Sequence, residues 1–381
     1  MDWNSKILTE VSWAKEQGAN VHRFLQFSVI PNAGSCITSA GRIESGEVLL
    51  SLPRNVLINK ATYPNCPFSK QLSSFQFLAW FICKGKSTGM EKWPYYIEAL
   101  PQDFSWHPVM LSSNDPLWPN VPEDVQNLIL ERKQSLLEDY QNVSKFESFD
   151  WQLFQWAWLC VNTRCLYYEV SPSSVDEQLT LAPVFEYFNH SFDAQTDLQR
   201  GRSGISIIAK RTIEKNEQIY LRYGGHGNDQ LFSEYGFCLS ENPFNHFTLD
   251  NQLSFNEQQE KFLKDHHYWK DYTFSIDGPS FRTFVALRVL LIYNSNDLLD
   301  YTCDSTRRLL QYMNGFSEGN RELPMVQALW TKHLKLFLKV VEEKAGKLCE
   351  QESDNYLQQC ILQLWNDRQK CIKYLLNSPL E

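Results

Sequence analysis

Residues 223–237, YGGHGNDQLFSEYGF, join a glycine-rich turn to a short helix and a second turn. Gly224, Gly225 and Gly227 free the backbone for positive φ or for close approach to a ligand. Asn228 suits a helix N-cap, and Leu231, Phe232 and Tyr235 form the apolar side of the helix that follows. Gly236 suits its C-cap, and Phe237 reads as a core contact. A phosphate cradle is the competing reading, but no Gly-Lys-Ser/Thr follows and the nearby charge is acidic. Taken alone, Tyr235 reads as packing. Upstream, residues 205–208 (ISII) and 219–223 (IYLRY) read as strands, with residues 214–217 (EKNE) as a turn between them. Further back, the apolar run 182–188 (APVFEYF) ends on Asn189-His190-Ser191. A strand ending on these residues points donors and acceptors at something. The same triplet could equally be a turn closed by an Asx-type bond at Asn189.

The rest of the chain divides by texture. From Val21 to about Asn59 it is strand and turn, with residues 43–46 (IESG) as a turn and the run 48–52 stopped by Pro53. Leu72, Phe75, Ala79 and Ile82 share a helical face, with Gly85 as the expected stop. Residues 93–122, rich in Pro, Trp and Asn, read as irregular loop, and residues 125–140 as a charged helix. Trp151, Phe154, Trp158, Val161 and Cys165 step at three and four residues, an amphipathic helix. Beyond about Leu253 the pattern is almost entirely helical, with Trp330, Leu334, Phe337, Leu338 and Val341 on one face. Tyr356, Cys360, Leu364, Cys371, Ile372 and Leu375 mark another helix. No internal repeat is visible. The fold class expected is α+β, a β-rich core split by a helical insertion and followed by an all-helical domain. The expected boundaries are 1–62 and 156–252 for the two parts of the core, 63–155 for the insertion and 253–381 for the C-terminal domain.

At 381 residues, with 43% hydrophobic and 21% charged, the chain is long enough to bury about three quarters of its unfolded surface. Disordered and low-complexity classes are excluded. A formal net charge of −9 suits a basic protein partner and counts against phosphate-backbone binding. No run approaches the roughly 18 apolar residues of a membrane span, and residues 1–10 (MDWNSKILTE) lack a signal-peptide core. A soluble, intracellular protein is the expectation. The ten cysteines form no Cys-x-x-Cys pair and no histidine stands at zinc spacing from them. Reduced thiols and no metal site are expected.

Taken together, Asn189-His190-Ser191, the segment from Asn216-Glu217 to Tyr223 and residues 228–237 resemble the C-terminal half of a SET domain, the fold of lysine methyltransferases that use S-adenosylmethionine. The Tyr-Gly-Phe after a closing helix is similar to the Rubisco large-subunit methyltransferase branch. That branch carries a helical insertion in the core and a helical substrate-binding domain after it. Residues 31–34 (PNAG) with 43–53 (IESGEVLLSLP), and Val161-Asn162-Thr163-Arg164, resemble the branch's first segment and the helix ending in an arginine. The motifs span roughly residues 20–250, and the nearest resemblance is to fungal ribosomal-protein lysine methyltransferases.

The resemblance implies Tyr223 as the catalytic tyrosine, orienting the lysine amine, with Tyr235 lining the lysine channel. It implies Ala33, Gly34 and Ser35 as the cofactor turn, Arg164 at the cofactor carboxylate, Asn189 and His190 at its amino group and adenine, and Phe237 near the adenine or the methyl. Backbone carbonyls at Arg164 and Glu186 would help to hold the substrate amine. Three departures stand out. Ala33-Gly34-Ser35 lacks the family's acidic contact, Glu186 stands where Asp is usual, and no tyrosine occurs between Ser191 and Ile219. The missing tyrosine leaves room around a methylated amine, so more than one methyl is expected. Without zinc clusters or a basic arm, the expected substrate is a ribosomal protein rather than a histone, with a large-subunit protein near the stalk base first. A histone or a metabolic enzyme as substrate, a histidine substrate and a silent binding module are the alternatives. A cytoplasmic monomer, also met in the nucleus, binding neither nucleic acid nor membrane, completes the expectation.

Overall fold

The computed structural model describes residues 3–30, 34–168, 179–292, 302–350 and 355–378, and in it the apolar runs near residues 48–52 and 205–208 pair with each other. Val48–Pro53 runs antiparallel to Gly204–Ala209, burying Leu49, Leu50, Leu52, Ile205 and Ile207. Asn20–Val21 and Thr196–Gly201 flank this pair to complete a four-stranded sheet. Leu25–Ile30 and Gly34–Ser39 form a hairpin, and single bridges at Thr38–Gln218, Ile43–Ile213 and Ile58–Leu181 tie together segments far apart in sequence.

The chain forms two compact units. Met1–Ser112, Asn127–His226 and Gln230–Leu239 make the first, and Ser113–Gln126, Gly227–Asp229 and Ser240–Glu381 the second. In the first unit the helix Ser74–Thr88 opens with a capping box between Ser73 and Gln76. It packs along Trp151–Arg164, and Asp139 accepts from both, through Gln76 Nε2 at 2.9 Å and Trp158 Nε1 at 2.8 Å. The expected stop at Gly85 is displaced: the helix continues to Thr88 and ends at Gly89, whose φ is +77°. Gly85 serves packing instead, since a Cβ there would lie 2.8 Å from Ile97 Cγ1.

The run 182–188 is likewise not a strand. It makes a single 3₁₀ turn, Phe185–Tyr187, and the strand pairing begins at Asn189–His190, which lies parallel to Tyr220–Leu221. A backbone φ of +70° at Val184 breaks the extended run.

The second unit is helical apart from a small antiparallel sheet of His246–Thr248, Thr273–Ser275 and Gly278–Pro279. Leu323–Cys349 and Tyr356–Leu376 pack along each other, and the buried Trp330 meets Phe274 edge-on at 5.7 Å. All ten cysteines are free thiols. Among the described residues no helix is long and apolar enough to cross a membrane.

Candidate active site

The parallel pairing of Asn189–His190 with Tyr220–Leu221 sets two of the motif segments side by side in the first unit. Tyr223, two residues past its strand, donates its backbone N–H to His190 Nδ1 at 3.0 Å. That bond requires an unprotonated Nδ1, and burial disfavours the charged imidazole by lowering its pKa. The Leu221 carbonyl stands farther from Nδ1, at 3.3 Å, so the shorter bond from the Tyr223 N–H takes the Nδ1 lone pair. The proton therefore sits on Nε2, which is buried and has no partner among the described residues. The Tyr223 hydroxyl donates to the Phe188 carbonyl at 2.8 Å, and burial pushes its pKa far up. It stays neutral at any working pH.

Helix Asn228–Tyr235 ends where expected, at Gly236, whose φ is +77°. The Asn228 side chain is used in the second unit, donating to Asp367 Oδ2 at 2.6 Å and accepting from Asn242. The turn after Tyr235 completes a row of rings. His190 and Tyr223 lie 5.1 Å apart at 30°, Tyr223 and Tyr235 5.4 Å apart, and Tyr235 and Phe237 6.1 Å apart, with His190 and Phe237 also 6.1 Å apart. Burial pushes the Tyr235 phenol up to about 12.

Arg164 closes its helix as expected and rests near Phe104, 5.8 Å from the ring centroid. It forms no ion pair among the described residues, yet its charge is felt at Glu186, Tyr223 and Tyr96. Glu186 sits in the 3₁₀ turn. Its Oε2 accepts from the buried Tyr96 hydroxyl at 2.9 Å, and its Oε1 is buried with no partner among the described residues. Gly34 and Ser35 open a strand that runs beside Asn189–His190, with Gly34 at φ +69°. Ala33 lies outside the described residues.

Several contributors carry no motif. His107 is fully buried and neutral, its pKa lowered to about 4 by burial. Its Nε2 donates to the Glu234 carbonyl at 3.0 Å, and Asn162 Nδ2 donates to the same oxygen at 2.6 Å. Trp106 lies against Gly236, where a Cβ would come within 2.7 Å of its ring. His107 and Trp106 come from a stretch that reads as loop, whereas Asn162 comes from the helix Trp151–Arg164. Composition hints at it only through the aromatic residues. Gly236→Ala, strained both by its φ and by Trp106, is expected to cost about 1–3 kcal/mol in urea denaturation.

Glu186 yields a pH prediction. Burial raises its carboxyl from 4.5 to about 7, against the lowering effect of Arg164. Between those values the folded chain keeps a proton that the unfolded chain releases, so stability falls as pH rises through the window. At about 1.4 kcal/mol per pH unit, the fully ionised form costs on the order of 3 kcal/mol. Glu186→Gln should match wild type near pH 4.5 and exceed it by up to about 3 kcal/mol at pH 8. Equal urea midpoints at both pH values would contradict this.

The site fits a cofactor that offers a carboxylate and a hydrogen-bond acceptor. Among the described residues Arg164 is a guanidinium without an ion pair, and His190 Nε2 is a buried donor without an acceptor. Residues 34–224 match the SET domain family, and residues 248–378 the ribosomal lysine N-methyltransferase 2 C-terminal domain. A Rubisco LSMT SET-domain structure bound to lysine and AdoHcy superposes with a TM-score of 0.71 over 98% of this chain and 90% of that one, at 14% identity. The fold is therefore that of the SET domain. The ribosomal lysine N-methyltransferase set11 of Schizosaccharomyces pombe is 49% identical over 100% of both chains. SET domain-containing protein 4 of Homo sapiens is 25% identical, covering 80% of this chain and 84% of that one. The chain belongs to the SET-domain family of protein-lysine N-methyltransferases, whose methyl donor is S-adenosylmethionine.

Proposed function

We propose that this enzyme methylates a lysine of a ribosomal protein. The observation that carries this reading is the 49% identity, over both full lengths, to a ribosomal lysine N-methyltransferase. The net charge of −9 suits a basic substrate. A large-subunit protein near the stalk base is the first candidate, with more than one methyl added. The enzyme works as a monomer in the cytoplasm, and on newly made ribosomal proteins in the nucleus, with no direct hold on nucleic acid or membrane.

When bound, the cofactor supplies an electrophilic methyl on a positively charged sulfur. On this reading the Arg164 guanidinium takes its carboxylate, and a fixed planar fork suits that partner. His190 Nε2–H, Asn189 and the backbone at Ala33, Gly34 and Ser35 hold the rest, with Phe237 against the adenine or near the methyl. Tyr223 and Tyr235 wall the lysine channel and exclude water, which disfavours the ammonium form of the substrate. The Tyr223 hydroxyl spends its proton on Phe188, and its oxygen lone pairs accept from an amine N–H, aiming the nitrogen lone pair along the line of displacement. The carbonyls of Arg164 and Glu186 take the remaining N–H bonds. Positioning, not a strong base, provides the acceleration.

The test is to incubate the protein with radiolabelled S-adenosylmethionine and ribosomal proteins from cells lacking it, with boiled enzyme as control. One labelled band, dimethylated or trimethylated by mass, is expected. Label absent from every ribosomal protein would overturn the substrate reading, and a product that stops at monomethyl-lysine would overturn the methyl count.

A further inference from the structure

Glu10 is a fully buried carboxyl on the helix Trp3–Glu16, and among the described residues no cation pairs with it. A buried carboxylate is costly to keep, and a helix face that needed only packing would be better served by an apolar side chain. Both of its oxygens are spent on one distant segment. Oε1 accepts the Val184 N–H at 3.0 Å, across 174 residues of sequence, and Oε2 accepts the Tyr187 hydroxyl. Val184 is β-branched, fully buried and held at φ +70°. That conformation is strained for a β-branched residue and persists only where the surroundings impose it. The residues that follow are those of the site: Glu186, the Phe188 carbonyl that accepts from Tyr223, then Asn189 and His190. Tyr96, which donates to Glu186, completes a buried set of two carboxyls and two phenols beneath them.

We propose that Glu10 is a positioning residue for methyl transfer. By holding Val184 in its strained backbone it sets the Phe188 carbonyl and the Asn189–His190 strand against Tyr223. The inference rests on the site roles proposed above, but not on which protein is the substrate. The raised pKa of Glu10, caused first by burial and then by the charge of Glu186, agrees with a group retained against its electrostatic cost.

The test compares Glu10→Ala, Glu10→Asp and Glu10→Gln by hydrogen exchange across residues 184–190 and by calorimetric binding of S-adenosylhomocysteine. Both readouts are independent of the protein substrate. Gln keeps an oxygen for the Val184 N–H and an amide that donates to the Tyr187 phenol oxygen. Its affinity is expected within about threefold of wild type. Ala and Asp, which respectively lack the acceptor and fall one methylene short, should speed exchange at 184–190 and weaken binding, each by about 10-fold, at temperatures where they remain folded. With an active substrate, kcat should fall by about 10-fold to 100-fold for Ala and Asp, a range set by angstrom-scale misplacement. Folded Ala or Asp variants with exchange and affinity within twofold of wild type would overturn the proposal, as would Gln behaving like Ala. If Ala does not fold, the contrast between Asp and Gln decides the matter. Failure to label a ribosomal protein would leave these comparisons intact.

Discussion

Tyr223→Phe is expected to lower kcat by about 100-fold, near 3 kcal/mol of transition-state stabilisation, and to leave the cofactor KM nearly unchanged. The ring survives the change, so its neighbours His190 at 5.1 Å and Tyr235 at 5.4 Å keep their contacts. Only the hydroxyl is lost, together with its bond to the Phe188 carbonyl. Releasing that carbonyl in a partly buried site costs about 1–3 kcal/mol of stability at most. A fall in kcat with a modest change in melting temperature is therefore the signature of a group that acts on the amine rather than on the fold. Steady-state kinetics beside a thermal melt measure both. A kcat within threefold of wild type would remove Tyr223 from the chemistry.

Arg368→Leu is expected to cost about 3–5 kcal/mol of stability in the second unit, a large fraction of the roughly 5–15 kcal/mol that holds an ordinary domain folded. The guanidinium is fully buried. It donates to Asp124 Oδ2 and Asp229 Oδ2, both at 2.7 Å, to Asp229 Oδ1 at 2.9 Å and to the Leu364 carbonyl at 3.0 Å. Removing it strands two half-buried carboxylates, whose side chains are 24% and 16% exposed. Burial already pushes Asp229 up to about 6 even with Arg368 in place. The penalty belongs to the unpaired acids, so Asp124→Asn, Asp229→Asn and Arg368→Leu combined should recover most of it. Arg368→Lys should recover only part, because a point charge cannot reproduce the fork. Urea denaturation of the three variants checks the order. A single Arg368→Leu variant within 1 kcal/mol of wild type would contradict the account.

The parts of this fold legible in the sequence are those set by neighbours in the chain. Three- and four-residue steps marked the helices Trp151–Arg164 and Tyr356–Leu376, because one helical face must be apolar to be buried. The run after Gly46 and the run before Lys210 declared themselves as strands by β-branched and apolar density. Tyr223, Tyr235 and Phe237 stood out only through the resemblance to the SET motifs, since taken alone Tyr235 reads as packing and Phe237 as a core contact. Local reasoning misplaced the helix stop at Gly85, where Ile97 rather than the turn demands glycine. It also took residues 182–188 for a strand, because apolar density does not report the left-handed φ at Val184.

What the sequence determined by itself was the alternation of strand-rich and helical stretches, the glycine-marked turns and the residue types at the site, since each follows from steric and hydrophobic rules acting over a few residues. The tertiary structure alone decided that His107 and Asn162 share the carbonyl before Tyr235, that Arg368 answers Asp124 and Asp229, and that Glu10 holds Val184. Such pairs are separated by 72 to 244 residues in the chain. No periodicity spans that distance: a buried donor or charge takes whatever partner the folded chain brings within about 3 Å, where leaving it unpaired costs more than the bond itself is worth.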